Sequence, residues 1–361
     1  MTMELTKAQC NELRGLAILS IVLHNFFHQE RFGFAQQNEG SFDISRTVDF
    51  LSGLGNGFGN ALCEISSFLG WLGVPVFVFL SGYGLARKYE SSPAGSLSIL
   101  PHVKHSWLKL FKLMLPGVLF CAVFMQMSGY GGAGAMARYA VYLSLLGNLA
   151  GMPAPTPGVY WYFGLTFELY VCYILFERYR DRRILLLCFV LPILLQYFLL
   201  LTGRNGLLSY NLNNLLGWMP VFVTGIGAAR LRHDNRNPRK NALFPVLLLV
   251  VSSALLVACN LSRWGWGLIH FVALAFFFAL TDLVDRFGPF RRVFGFLGSW
   301  GSYLFVGHPI ARLVAKASIR AHSASDTSFF CIWFCWWASS SCTGSFTRRF
   351  FPSSSLEPSV A

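Results

Sequence analysis

The stretch LRGLAILSIVLHNFFH, residues 13–28, predicts a helix that crosses a membrane. Arg14 stands at its start, mostly apolar residues follow, and His24 and His28 lie four residues apart near its end. Side chains four residues apart share a helix face, and His24 would lie about 15 Å beyond Arg14. That distance is about half of a hydrocarbon core. Because a polar side chain is costly to bury at mid-membrane, His24 becomes the first candidate functional residue.

The composition of the whole chain supports a polytopic, all-α membrane helical bundle. Of 361 residues, 54% are hydrophobic and 12% charged, where a soluble domain carries about 25% charged residues. The net charge of +13 falls in short clusters between apolar runs, so membrane topology explains it and no nucleic acid partner is expected. The cysteines show no metal-ligand spacing, and we predict no metal site. The first run is a signal anchor, since further spans follow it.

Eleven apolar runs are candidate spans. If all of them crossed, the arginine-rich loop 177–183 would lie outside, against the positive-inside rule. The run 139–150 has only twelve residues, too few to cross, and we interpret it as a re-entrant or interfacial segment. The runs are 13–27, 68–86, 107–127, 139–150, 160–176, 184–201, 212–229, 243–261, 264–280, 293–314 and the poorer 329–338.

About ten transmembrane helices then remain, with both termini in the cytoplasm. This topology places 21 of the 29 Lys and Arg residues inside and 8 outside, as the positive-inside rule requires. We expect residues 1–316 to form the membrane domain and 317–361 an atypical tail, either a weak last span or a frame-shifted ending. The outside segment 29–67 is glycine-rich and long, which is typical of a mobile or ligand-covering loop.

Three polar side chains fall inside predicted spans: His24, Glu168 and His308. Each lies roughly 12 to 20 Å from the end of its helix at 1.5 Å per residue. Burying a carboxylate and two imidazoles costs several kcal/mol unless they face one another or a water-filled cavity. We therefore predict that they converge on one cavity. The alternative for each is a hydrogen bond that only holds helices together.

Four motifs in the same order resemble those of the acyltransferase 3 family, bacterial membrane enzymes that O-acylate cell-surface glycans. The resemblance implies a ten-span core with cytoplasmic ends in the bacterial inner membrane, which agrees with the topology argued from charge. The motifs are Arg14-Gly-Leu-Ala followed by His24, the segment GVPVFVFLSGYGLA at 73–86, the aromatic helix from Tyr160-Trp161-Tyr162-Phe163 to Tyr170 and Tyr173, and Ser302-Tyr303 leading to His308-Pro309.

Two positions depart from the family pattern. Where relatives carry an Arg-x-x-Arg pair that meets acyl-CoA, this chain has Lys109 and Lys112 before Pro116. Lysine binds phosphate as a point charge without the two-pronged fork of arginine. Where many relatives have Glu-Glu-Gln, this chain has Thr166-Phe-Glu168. Glu168 is then either a displaced equivalent or a local substitution.

The chemistry follows from these groups. Arg14, Lys109 and Lys112 would attract the phosphates of acyl-CoA, and His24 would take a proton from an acceptor hydroxyl, with Glu168 and His308 as further catalytic candidates. A covalent relay through Ser81 is the competing mechanism, although close helix packing also explains a small residue there. Tyr83, Tyr160 and Trp161 would line the acceptor path, or else belong to an interfacial aromatic belt.

The sequence therefore predicts a membrane O-acyltransferase that moves a short acyl group from acyl-CoA to a hydroxyl of a carbohydrate or cell-surface glycan. Acetyl is the expected group, because it is small enough for a narrow passage. No bound cofactor is expected, because acyl-CoA is a substrate. The alternative is a proton-coupled transporter or flippase of a glycan or lipid-linked sugar, in which buried His and Glu side chains relay protons. The acceptor, the acyl chain and any protein partner are left open.

Overall fold

The computed structural model describes residues 5–29, 32–129, 132–155, 158–231 and 243–321, of which residues 315–321 are described by their backbone alone. All regular structure in these ranges is helical, which confirms the all-α class. The chain divides into two compact units. Among the described residues, unit 1 comprises those up to 97 and 172–299, and unit 2 comprises 98–171 and 300–321.

Unit 1 is built around the first helix of the chain, Lys7–Phe27, which packs against four other helices, Phe58–Leu69, Val74–Tyr89, Ile269–Val284 and Gly288–Ser299. The helix Trp161–Tyr179 begins in unit 2 and ends in unit 1. The helices of unit 1 are α1 (Lys7–Phe27), α2 (Ile44–Gly53), α3 (Phe58–Leu69), a 3₁₀ turn (Gly70–Gly73), α4 (Val74–Tyr89), the end of α7 (Trp161–Tyr179), α8 (Arg182–Leu201), α9 (Asn205–Leu212), α10 (Leu215–Arg230), α11 (Leu243–Asn260), α12 (Arg263–Trp266), α13 (Ile269–Val284) and α14 (Gly288–Ser299).

Unit 2 contains the long helix α5 (Ile99–Met127), the short α6 (Ala133–Leu143), the start of α7 and α15 (Gly301–Ala321). Its core forms where the Tyr160 hydroxyl donates to the carbonyl oxygen of Val306 at 3.5 Å. Gly117 on α5 makes this approach possible, since a Cβ there would meet both Tyr160 and Val306. The hydroxyl therefore occupies the notch that the missing side chain leaves.

Helix α1 begins earlier than its apolar run because a capping box starts it. The Thr6 side chain accepts from the Gln9 backbone amide, and the Gln9 side chain accepts from the Thr6 amide. This reciprocal pair satisfies two amides that would otherwise lack partners at a helix start. The helix thus gains a first turn before Leu13, and His24 lies in its last turn.

Glycines allow two pairs of helices in unit 1 to touch through their backbones. On α1 and α14, a Cβ at Gly15 would overlap the carbonyl oxygen of Phe294, and one at Gly298 would overlap that of Asn11. On α4 and α10, Gly82 and Gly225 approach the partner backbone in the same way. Small residues at such crossings are typical of helices that pack in membranes.

Four helical stretches in the described ranges are long and apolar enough to span a membrane: Phe58–Tyr89, Ile99–Met127, Arg182–Leu201 and Leu243–Asn260. Two shorter apolar helices are Leu215–Arg230 and Ile269–Val284. The membrane class is supported, but the predicted ten spans are not confirmed. Helix α1, for example, is 21 residues long, but Glu12 and Arg14 lower its hydropathy.

The structure differs from the sequence analysis in two segments. The run 293–314, predicted as one span, is not one helix, because the chain breaks at Trp300 between α14 and α15. The segment 29–67, predicted as a mobile or ligand-covering loop, contains two helices, α2, capped by the Asp43 side chain, and α3; its covering of a ligand stays a prediction. The short run 139–150 contains only the end of the short helix α6, which begins at Ala133 and ends at Leu143, and turns follow it. The predicted run 329–338 and most of the tail 317–361 lie outside the described residues.

An ion pair joins α4, α7 and α10 within unit 1. The Arg230 guanidinium donates to both carboxylate oxygens of Glu90 at 2.7 to 2.9 Å and to the Phe176 carbonyl oxygen at 3.0 Å. Arg180 donates to the backbone carbonyls of Tyr89 and Glu90 at the end of α4. Both arginine side chains are largely shielded from solvent, at 18% and 24% exposure. A two-pronged pair in such a setting is a strong interaction.

Replacing the Arg230 guanidinium tests how much its paired hydrogen bonds to Glu90 stabilise the fold. We expect Arg230→Lys to lower the free energy of unfolding by about 1–3 kcal/mol, because an ammonium keeps the charge but loses the paired hydrogen bonds. Thermal unfolding of the purified protein measures the change. Arg286→Lys is the control, since Arg286 reaches Asp282 at 3.4 Å and is more exposed. Equal losses in the two variants would contradict a special role for the fork.

Candidate functional site

His24 is fixed in unit 1 by a hydrogen bond to backbone. Its Nδ1 lies 2.8 Å from the carbonyl oxygen of Ser67, and the side chain is buried, with 4% exposure. The His28 ring stacks on it with centroids 4.8 Å apart and planes 15° apart. Gly70 lies against the other side, where an added Cβ would stand 2.6 Å from His24 Cβ. The imidazole is therefore held from several directions.

The bond to Ser67 determines which ring nitrogen can act as a base. A carbonyl oxygen only accepts hydrogen bonds, so Nδ1 of His24 must carry the hydrogen. In the neutral ring the lone pair then belongs to Nε2. In this tautomer, Nε2 is the ring atom that can accept a proton.

A second layer of hydrogen bonds holds Ser67 itself. The Ser67 hydroxyl donates to the carbonyl oxygen of Ala35 at 2.9 Å, and the Ala35 amide donates to Oε2 of Glu64 at 3.0 Å. Glu64 is buried and fits against Gly53. Ser20 on α1 adds a bond from its hydroxyl to the Gly70 carbonyl oxygen at 2.9 Å. Ala35, α3 and α1 are thus linked around His24.

The other two predicted catalytic residues belong to unit 2. His308 on α15 is buried at 2% exposure, with Nδ1 3.1 Å from the Leu304 carbonyl oxygen. By the same reasoning its Nε2 carries the lone pair, and this atom is buried and has no hydrogen-bond partner among the described residues. Glu168 on α7 is also buried, at 8% exposure. The predicted convergence of His24, Glu168 and His308 on one cavity stays a prediction.

The predicted phosphate-binding cations are distributed over two helices. Arg14 on α1 is half-buried, and its guanidinium donates to the Asn11 side chain at 3.1 Å. Lys109 and Lys112 lie one turn apart on α5, Lys109 half-buried and Lys112 exposed. Residues three apart on a helix are neighbours on its surface. The two lysines therefore form one cationic patch within unit 2.

The predicted lining residues mostly make structural contacts. The Ser81 hydroxyl donates to the Phe77 carbonyl oxygen at 2.9 Å, and the Tyr83 hydroxyl accepts from the Leu5 amide at 3.1 Å. Tyr160 is fully buried, and the Trp161 carbonyl oxygen accepts from the Asn148 side chain at 2.7 Å. Their part in substrate binding stays a prediction.

Sequence reasoning missed the groups that hold His24. Ser67 contacts His24 through its backbone carbonyl, and this contact does not depend on which residue type stands at position 67. Gly70 and Glu64 lie in the segment that was interpreted as outer loop or as the edge of a span. The one available signal was the i, i+3, i+4 spacing of Glu64, Ser67 and Phe68, which places the three side chains on one face of α3.

Among the described residues, no group of three or more His, Cys, Asp or Glu side chains could hold a metal ion.

A model of the acyltransferase domain, that of the acyltransferase 3 family, matches residues 11–344. The chain belongs to this family. The match covers nearly the whole chain, including the helices that carry His24, Glu168 and His308. No curated protein and no solved structure matches the chain.

Membership of the acyltransferase 3 family establishes the general class of the protein. It is a membrane acyltransferase, in agreement with the apolar helices of both units. The order of the four sequence motifs within residues 14–309 agrees with this match. Donor, acceptor and acyl chain are finer questions that the family match leaves open.

Proposed function

We propose that this acyltransferase transfers a short acyl group, with acetyl as the first candidate, from acyl-CoA to a hydroxyl of a carbohydrate or cell-surface glycan. We place it in the bacterial inner membrane with both termini in the cytoplasm. The observation that supports the chemistry best is the bond between His24 Nδ1 and the Ser67 carbonyl oxygen at 2.8 Å. It presents Nε2 of a buried imidazole as a base.

In the proposed reaction, Nε2 of His24 takes the proton of the acceptor hydroxyl. The acceptor oxygen attacks the thioester carbonyl carbon, the carbon–sulfur bond breaks, and the CoA sulfur leaves with the electron pair and takes up a proton. General base catalysis of this kind contributes about 10²–10⁴ in rate. Direct attack needs no acyl-enzyme, whereas a relay through Ser81 would form one.

The remaining candidate residues have supporting roles in this proposal. Arg14, Lys109 and Lys112 attract the phosphates of CoA, as cations do near a polyanion. His308 has a buried Nε2 that no described residue hydrogen-bonds, and we assign it the role of a second proton acceptor. Glu168 is the third candidate catalytic group, and the role proposed for Tyr83, Tyr160 and Trp161 is to contact the acceptor.

Acyl-CoA turnover by the full-length protein in lipid vesicles tests the proposal. We expect free CoA thiol to be released faster when oligosaccharides are added to acetyl-CoA, and the labelled acyl group to appear on the sugar. Acyl-CoA of other chain lengths shows the preferred donor. If no acyl-CoA is consumed with any donor or acceptor, while the vesicles show sugar-dependent proton movement, the transporter alternative replaces this proposal.

Gly70 offers a test of how closely His24 must be held. An added methyl at Gly70 would press on His24 Cβ and on the Ser20 carbonyl oxygen, at 2.6 and 2.7 Å. Because small displacements of a catalytic group are costly, we expect Gly70→Ala to lower acyl transfer about tenfold to a hundredfold. Gly59→Ala on the neighbouring helix α3 is the control, since an added Cβ there meets nothing within 4 Å. Unchanged kcat in Gly70→Ala would contradict the expectation.

A further inference from the structure

Helices α2 and α3 carry a continuous set of exposed apolar side chains. On each helix they follow the spacing i, i+4, i+7, which places them on one face. We call this set the hairpin stripe. Its members are Ile44, Val48 and Leu51 on α2, with 50%, 56% and 41% exposure, and Phe58, Leu62 and Ile65 on α3, with 82%, 50% and 43% exposure.

The orientation of the hairpin stripe is fixed by the opposite faces of the same helices. Phe50 of α2 and Phe68 of α3 stack with ring centroids 4.4 Å apart and planes 9° apart, and both are fully buried. Glu64 and Ser67 face inward toward the bonds around His24. The inner faces are therefore occupied, and the apolar stripe remains on the outside of unit 1.

Two contacts set the level of α2 relative to the membrane. The Thr47 hydroxyl donates to the Asn260 carbonyl oxygen at 2.8 Å, and Asn38 donates to the Asn260 side chain at 3.2 Å. Asn260 is the last residue of α11, an 18-residue stretch apolar enough to span a membrane. At 1.5 Å per residue α11 is about 27 Å long, close to the ~30 Å of a hydrocarbon core. Helix α2 is thus held at the end of a span.

Helix α3 lies beside α2, because Phe68 of α3 stacks on Phe50 of α2. It continues through the 3₁₀ turn into α4, and together they form the 32-residue candidate span Phe58–Tyr89. This stretch is about 48 Å long, longer than a hydrocarbon core, so part of it extends beyond the core. The polar side chains of α2, Ser45, Asp49 and Ser52, form a separate exposed stripe beside the apolar one. That division is typical of a helix lying in an interface.

We propose that the hairpin stripe binds the surface of the lipid bilayer, with its apolar side chains among the acyl chains and the polar stripe of α2 in water. Exposed apolar area of this extent is unusual on a surface that faces only water. Because Ser67 of α3 bonds to His24, the lipid-bound hairpin also positions the candidate base. This adds a membrane-surface site to the proposed function and does not depend on the identity of donor or acceptor.

Photo-crosslinking of the full-length protein in phosphatidylethanolamine and phosphatidylglycerol vesicles tests this inference. A diazirine amino acid the size of leucine is introduced at Val48 or Leu62, with Asp49 as the matched control on the polar stripe of α2. After illumination, mass spectrometry is expected to find phospholipid adducts at Val48 and Leu62, and several-fold fewer at Asp49. Label at Ile65 provides an independent position if the protein labelled at Leu62 does not purify in folded form.

Three outcomes would overturn the inference. Equal lipid labelling at Val48 and Asp49 would mean that the two stripes do not differ in environment. Adducts to a second copy of the chain or to another protein would assign the hairpin stripe to a protein interface. Reaction with water alone at Val48, Leu62 and Ile65 would leave the stripe exposed to solvent. None of these outcomes depends on acyl transfer, so failure here is distinguishable from failure of the proposed function.

Discussion

His24→Asn is expected to lower acceptor-dependent acyl transfer about 10²–10⁴-fold, the usual contribution of a general base. Asparagine can keep a donor near the position of Nδ1 and thus the bond to the Ser67 carbonyl oxygen, but it has no counterpart of Nε2. The loss should therefore appear in kcat while the protein purifies and unfolds as before. Release of labelled CoA and thermal unfolding measure the two quantities on the same sample.

Two further variants distinguish a catalytic role of His24 as a base from a purely structural role. Ser20 lies on α1, as His24 does, and its hydroxyl donates to the Gly70 carbonyl oxygen. Ser20→Ala removes that hydrogen bond but leaves the His24 imidazole in place, so acyl transfer should change little. His24→Ala removes both the base and the bond to Ser67, and should lose stability as well as activity. If His24→Asn keeps wild-type transfer, Nε2 of His24 is not the base, and His308, whose Nε2 is also buried, becomes the next candidate.

The helical class and the importance of α1 could be predicted because they depend on long-range averages. Apolar content and the low share of charge identify a membrane bundle without knowledge of any contact. His24 stood out because a histidine in an apolar run is expensive. The short run 139–150 was separated from the spans by length alone, and the eleven-residue helix α6 ends within it, at Leu143.

The errors arise where three-dimensional contacts override the hydropathy pattern. The run 293–314 has no breaker strong enough to predict a break at Trp300, although Gly298 must fit against the Asn11 backbone just before it. Segment 29–67 is rich in glycine, yet α2 and α3 form because each of them buries one face against the rest of unit 1. The hydrogen-bond partner of His24 is the backbone carbonyl of Ser67, and any residue type at position 67 would have such a carbonyl, so the sequence could not predict the bond. Such features depend on packing, and packing is invisible in a single sequence.

The contact between α4 and α10 yields the prediction with the largest effect on stability. An added Cβ at Gly225 would overlap the Phe79 carbonyl oxygen and stand 2.9 Å from the Tyr83 amide nitrogen. Both are backbone atoms, so no side-chain rotation can relieve the overlap and the helices must move apart. We expect Gly225→Ala to lower the free energy of unfolding by about 3 kcal/mol, the upper end of the usual cost of overpacking.

Gly227 provides a matched control two residues along the same helix. An added Cβ there meets nothing within 4 Å, and alanine is favoured over glycine in a helix by up to about 1 kcal/mol. Gly227→Ala should therefore unfold at the wild-type temperature or slightly above it, whereas Gly225→Ala unfolds well below it. Gly82→Ala on α4 should behave like Gly225→Ala, because its Cβ would overlap the Phe222 carbonyl oxygen. If Gly225→Ala and Gly227→Ala unfold at the same temperature, the two helices do not cross at these glycines.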